Sequence, residues 1–286
     1  MRSLLAAGVA AMLALGLVGC AAQARNVGGQ PRTAPPPTRL VSLSPSTTEI
    51  MMTNNAAQML LGRTESCDFP DAAKAKPIVM SGVKPDFERI QALNTQVAFY
   101  DKALFSEADL AKFKELNITL IGLDSRSLAG WEAFQKELVS TLGMESSISE
   151  KVDAVYAKLD QSRGQLEGTN IKVAILIGTR DYLMVPQNGL IADISKRIGL
   201  NLIAAPGEAW VPANLEQLVA AKPDVIISTP EGAEAILKDA RLQSLQAVKL
   251  RHVYGIRESV LVRTGARVDQ LIESLATLAK RTVETN

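Results

Sequence analysis

The sequence predicts an α/β protein of two lobes, with parallel-type sheets flanked by helices and one long backbone helix joining the lobes. Three observations carry this. Short apolar runs alternate with amphipathic helical segments on both sides of the chain's middle, the pattern of parallel sheets covered on both faces. The middle holds two successive helical stretches with no strand signal. Finally, Asp86 to Tyr100 aligns without a gap on Asn214 to Ser228, at a constant offset of 128 residues. Each copy reads as a short amphipathic helix, a break, and an apolar run suited to a buried parallel strand. Each also carries one glutamate in its helix, Glu88 and Glu216.

The elements follow in order. Met1-Arg2-Ser3 is a short cationic start, and Leu4 to Val18 is apolar or small throughout. That run falls short of the roughly 20 residues a helix needs to cross a bilayer. It ends in Leu17-Val18-Gly19-Cys20, which matches the lipobox of bacterial lipoprotein signal peptides. Residues 1–19 are therefore expected to be a leader and Cys20 the site of lipidation. Residues 20–38 are rich in Ala, Gly, Gln and Pro, including Pro35-Pro36-Pro37, and are expected to act as a flexible tether.

Residues 39–144 form the expected N-terminal lobe. Strands are predicted at Arg39–Ser44, Met59–Arg63, Pro77–Met80, Val97–Tyr100 and Thr119–Leu123, with helices after Pro45, around Glu88, at Glu107–Leu116 and at Leu128–Met144. Residues 145–168 are the expected linking helix, with Ile148, Val152, Val155, Tyr156 and Leu159 at helical spacing. About 20 helical residues span roughly 30 Å, enough to run from one lobe to the other. Residues 169–286 form the C-terminal lobe. Strands are predicted there at Lys172–Ile177, Asn201–Ala204, Asp224–Ser228 and His252–Gly255, before a final amphipathic helix from about Ala266 to Val283.

Composition narrows the function. The chain is 47% hydrophobic and 21% charged with a formal net charge of +1, which gives no support to a nucleic-acid or polybasic membrane role. His252 is the only histidine and starts a predicted strand, so neither a histidine-based triad nor a histidine-rich metal site is expected. No nucleophile elbow or glycine-rich phosphate loop accompanies it, and no catalytic residue is assigned. With Cys20 lipidated, Cys67 has no partner for an intramolecular disulfide. Aromatics are only 4% of the chain, so Phe69, Tyr100, Tyr182 and Trp210, all at strand ends or in loops, stand out as flat faces for a rigid ring ligand. Ser44 and Pro45 suit the cap and first residue of a helix, with Ser46 and Glu49 as an alternative capping box.

Two lobes joined by a stiff helix, with sequence repeated across the join, resemble the helical-backbone substrate-binding proteins of ABC importers. Arg39 to Glu49 is similar to the opening strand and helix start of the cobalamin and siderophore binders in that class. Gly62-Arg63-Thr64-Glu65-Ser66-Cys67-Asp68-Phe69-Pro70 is similar to the Gly-x-Thr-x-x-Cys-Asp-Tyr-Pro stretch of cobalamin-binding members. The resemblance implies that Glu88 and Glu216 dock onto arginines of the membrane permease. It also implies that Trp210 contacts a corrin ring, and that Ser44, Pro45, Phe69, Tyr100 and Tyr182 share the ligand site.

The implied protein is a lipid-anchored monomer on the periplasmic face of a bacterial envelope. It is not an enzyme and holds no cofactor or resident metal, and it passes a cobalamin-type corrinoid to an ABC permease and its ATPase. A ferric siderophore or haem is the alternative ligand, with Arg126, Arg180 and Arg263 then pairing with its carboxylates. A further alternative is an envelope interaction or sensory protein with no small ligand. Asn94-Thr95-Gln96 stands where the second repeat has Lys222-Pro223-Asp224, so an altered turn is expected in the first repeat.

Overall fold

The computed structural model describes residues 35–143 and 145–284. The expected leader, Cys20 and the tether before residue 35 lie outside the described residues. Among the described residues no helix is long and apolar enough to cross a membrane.

The first half runs β1 (Leu40–Ser42), α1 (Pro45–Thr53), β2 (Leu60–Thr64), β3 (Ile78–Ser81), β4 (Lys84–Pro85), α2 (Phe87–Ala92), β5 (Val97–Asp101), α3 (Glu107–Glu115), β6 (Thr119–Leu123) and α4 (Leu128–Leu142). Its sheet has the order β4-β3-β2-β1-β5-β6, and every pairing is parallel except that of β3 with β4. The chain winds outward from β1 in one direction and then from β5 in the other. The crevice between the carboxyl ends of β1 and β5 is therefore a switch point, where open parallel sheets place ligands.

Helix α5 (Glu145–Gln165) follows, 21 residues long. The second half then runs β7 (Lys172–Ile177), β8 (Leu183–Met184), α6 (Leu190–Ile198), β9 (Asn201–Ile203), β10 (Val211–Pro212), α7 (Leu215–Ala221), β11 (Val225–Ser228), α8 (Pro230–Lys238), α9 (Gln246–Lys249), β12 (Val253–Gly255), α10 (Glu258–Leu261) and α11 (Val268–Glu284). The second sheet has the order β10-β8-β7-β11-β12, with β9 also beside β7. β4, β8 and β10 each have two residues, too short to leave a period-2 signature in the sequence.

Alternation along the central strands divides the core. Leu40, Val97 and Phe99 face one way and Val41 and Ala98 the other. In the second sheet Val173, Ile175, Val225 and Ile227 face inward, while Ala174, Leu176 and Ile226 face outward. The two inner faces share one continuous apolar cluster with α4, α5 and α11. Close-packed interiors resist sliding, so this shared core limits how far the halves can open.

The sequence repeat is a repeat of structure. Asp86 caps α2 by accepting from the Arg89 backbone N–H, and Asn214 caps α7 by accepting from Gln217 in the same way. Asn94 and Lys222 both take left-handed backbone conformations, at φ of 48° and 52°. Two residues on, the Gln96 side chain accepts from the Thr38 and Arg39 backbone at the entrance to β1, and Asp224 accepts from Lys172 at the start of β7. The altered turn expected at Asn94 is thus not found. Asparagine tolerates the left-handed region, so the substitution preserves the path from helix into strand.

Candidate functional site

Loops from both halves enclose a cavity of about 270 Å³. From the first half come Asp101, Ala103 and Leu104 after β5, and Ser125 and Arg126 after β6. From the second come the start of α6, Glu208 and Trp210 before β10, Leu261 at the end of α10, and Val262 to Thr264 between α10 and α11. The cavity thus opens at the carboxyl ends of β5 and β6. Trp210 is half-buried and packs its ring against the shared core.

Asp101 ends β5 and is 7% exposed. Its Oδ1 accepts from the Ala103 backbone at 3.0 Å and from Ser125 Oγ at 2.8 Å. Burial raises its carboxyl above the ordinary aspartate value, against the lowering effect of those two hydrogen bonds. Arg126 grips Asp124 with Nε and Nη2, both at 2.9 Å, and reaches across the cleft with Nη1 to Glu208 Oε2 at 3.2 Å. Its guanidinium holds the Asp124 carboxyl below the usual range.

Arg263 is also committed to carboxylates. It donates to Asp68 and, at 3.4 Å, to Glu49 Oε1. The Asp68 carboxyl is lowered by the Arg263 hydrogen bond. Glu49 is 1% exposed and is the centre of this cluster, with Arg267 Nη2 at 2.5 Å and Nε at 3.2 Å. Arg267 further donates to the Ser259 hydroxyl and carbonyl, both at 3.0 Å, and lies 4.2 Å from the centroid of the Phe69 ring. Thr264 Oγ1 donates to the Ser125 carbonyl at 3.1 Å, and Trp131 Nε1 to the Gly265 carbonyl at 2.9 Å. Together these contacts fasten the segment before α11 to the first half.

Trp210, Arg126 and Arg263 line the cavity, and the other sequence-derived candidates are distributed elsewhere. Ser44 caps α1 with Pro45 at its first turn, and its Oγ accepts from the Thr47 backbone at 3.1 Å. The helix start is closed in by a buried chain of hydroxyls, Ser42, Ser44, Thr47 and Thr48, that ends on the Cys67 thiol. Ser46 and Glu49 form no capping box, because the Glu49 carboxylate points away to Arg267. Phe69 lines a separate cavity of about 240 Å³ with Trp131, Lys151 and Arg267. Tyr100 packs edge-on against Phe105 on the outer face of the first sheet. Tyr182 is buried in the outer cluster of the second sheet, and burial with the neighbouring Asp239 charge pushes its phenol up to about 12. Arg180 is exposed. Glu88 and Glu216 are both exposed and are each the second residue of their helix, α2 and α7.

Asp101 and Glu208 were missed by sequence reasoning. The available signal for Asp101 was a carboxylate closing an otherwise apolar strand at the switch point; Glu208 carried none. The cavity wall contains no histidine, tyrosine, methionine or cysteine. Among the described residues no group of three or more His, Cys, Asp or Glu is placed to hold a metal ion.

Residues 40–260 match the model of the periplasmic binding protein family. The chain is 23% identical over 250 residues to the ABC transporter substrate-binding lipoprotein YvrC of Bacillus subtilis, covering 84% of this chain and 79% of that one. It is 24% identical over 230 residues to the high-affinity heme uptake system protein IsdE of Staphylococcus aureus, covering 75% and 78%. The structure of the periplasmic vitamin B12 binding protein BtuF of Vibrio cholerae superposes with a TM-score of 0.75 at 20% identity, over 88% of this chain and all of that one. The two-sheet architecture with its backbone helix and the family match over most of the chain agree: this protein belongs to the periplasmic binding protein family, in its helical-backbone form.

Proposed function

We propose that the protein is the substrate-binding component of an ABC importer and captures a cobalamin-type corrinoid between two lobes, residues 39–144 and 169–286, hinged on the helix within 145–168. The observation that carries the reading is the character of the cavity between the sheets. Trp210, Leu104 and Val262 offer it flat and apolar surface. Its two arginines are each matched by two carboxylates of the protein itself, Arg126 by Asp124 and Glu208, and Arg263 by Asp68 and Glu49. A ligand carboxylate would have to displace one of them.

Haem iron in a binding protein needs an axial side chain, and the wall supplies no histidine, tyrosine, methionine or cysteine. A corrinoid brings its own axial groups and a ring edge of neutral amides. The cavity is smaller than the usual range for drug-sized ligands and a corrinoid is larger than these, so the reading requires the cleft to open within the limit that the shared core sets. The exposed Arg126–Glu208 contact spans that opening and yields at little cost. The two cavity arginines are what favours a carboxylate-bearing chelate as the second reading.

Glu88 and Glu216 supply the docking register. Each stands exposed at the positive end of a helix dipole, one on each side of the cleft, and together they steer onto a cationic permease surface. Removal of residues 1–19, lipidation at Cys20 and a tether over 20–38 would hold the protein at the envelope membrane. Calorimetric titration with cyanocobalamin, haem and a panel of ferric siderophores tests the ligand. One-to-one binding of the corrinoid alone supports the reading, and heat with haem or a siderophore alone overturns it.

A further inference from the structure

The polar wall of the cavity has a direction. Ser125 Oγ spends its proton on Asp101 Oδ1, and Thr264 Oγ1 spends its own on the Ser125 carbonyl. The Ala103 N–H is also turned onto Asp101 Oδ1. Three donors near the wall are therefore directed at protein acceptors, and both hydrogen bonds of the Asp101 carboxylate fall on one oxygen. Oδ2 takes no hydrogen bond from the described residues, which leaves an acceptor on a side chain that lines the cavity. Asp101 is more than nine-tenths buried on that wall. A buried acceptor of this kind stabilises a donor that reaches it and penalises a partner that brings another acceptor.

We propose that Asp101 is the specificity-determining residue of this cavity, accepting a hydrogen bond from an N–H on the ligand's edge, amide or ammonium, and turning away carboxylate edges. This rests on the reading of the cavity as the ligand site, and it deepens that reading by naming the edge chemistry selected. Arg263 does not offset the selection, because Asp68 and the buried Glu49 already hold it, and Arg126 keeps Asp124 when its exposed contact with Glu208 opens. Asp101→Asn is the informative change. It keeps an oxygen for Ala103 and Ser125 and puts an NH₂ donor where Oδ2 stood.

The test titrates the wild-type protein, Asp101→Asn and Asp101→Ser with cyanocobalamin, whose edge is amides, with ferrioxamine B, which carries an ammonium group, and with haem, which carries two carboxylates. Thermal melts of each variant identify any that does not fold, and the serine variant carries the test if the asparagine one fails. The expected result is wild-type binding of cyanocobalamin but not haem, and a loss of about 10- to 100-fold in both variants, the scale of a hydrogen bond to a charged group. Binding of cyanocobalamin that stays within twofold in the folded variants overturns the role of Asp101 and leaves the corrinoid reading standing. Binding of ferrioxamine B alone, lost in the variants, overturns the corrinoid and supports the selection of donors. Haem binding by the wild type, or no binding of any probe, overturns both.

Discussion

Glu49 is the residue whose loss should be felt most. It sits on α1 in the first half, 1% exposed, and its carboxylate holds Arg267 at the start of α11 and touches Arg263. Arg267 is itself 5% exposed. Glu49→Gln keeps the shape and removes the charge, leaving a buried guanidinium uncompensated. Breaking a buried pair in this way costs about 3–5 kcal/mol. For a chain of this size each kcal/mol lowers the melting temperature by roughly 2–4 °C, so a drop of about 6–20 °C is expected.

A Cβ at Gly265 would overlap the Glu49 carboxylate, so Gly265→Ala should destabilise through the same contact. The assay is urea denaturation with thermal melting at neutral pH, with Glu208→Gln as the control. The Arg126–Glu208 pair has side chains 50% and 60% exposed, and removing its charge should leave the midpoint unmoved. A second check replaces both partners, Glu49→Leu with Arg267→Met. Swapping a buried pair for apolar groups of similar volume is often neutral, so this variant should recover most of the loss. A Glu49→Gln cost below about 1 kcal/mol, or a Glu208→Gln cost as large as that of Glu49→Gln, would refute the reasoning.

Four further outcomes are expected. Trp210→Ala should weaken binding of the cavity's ligand by about 30-fold or more, the cost of losing an aromatic anchor, while the melting temperature moves little because the ring is only half-buried; calorimetry beside a thermal melt separates the two. Glu88→Arg combined with Glu216→Arg should abolish ligand uptake by cells and leave the dissociation constant unchanged, and a fall in affinity would instead place both residues in the ligand site. Because the folded Asp68 carboxyl is depressed by Arg263, its pairing contributes stability above the ordinary aspartate value, and that stability is lost as pH falls through the depressed one. Denaturation followed from pH 7 downward should therefore show a smaller acid loss in Asp68→Asn than in wild type. Cys20→Ser should release the protein from membranes on fractionation.

Local pattern was enough for much of the architecture. Thr119–Leu123 and Lys172–Ile177 occupy the predicted strands residue for residue, and the repeat at offset 128 reappears as matched caps, left-handed turns and strand entrances. These features are set by neighbours along the chain: a cap needs the N–H three residues on, and a buried strand needs its own apolar run. The paired glutamates were legible for the same reason, since their helix position and exposure follow from the repeat.

The site was decided by contacts between residues distant in sequence. Glu49 reads locally as half of a capping box, yet its partner Arg267 lies 218 residues away. Asp101 reads as the end of a strand, and only the approach of Ser125, Trp210 and Thr264 makes it a cavity wall. Tyr100 and Tyr182 share Trp210's signature of an aromatic at a strand end, but the outer faces of the two sheets claim them. Which face an aromatic serves depends on what packs against it. A net charge of only +1 likewise conceals that both cavity arginines are already matched by carboxylates, because only folding brings Asp124 and Glu208, or Asp68 and Glu49, to the same guanidinium.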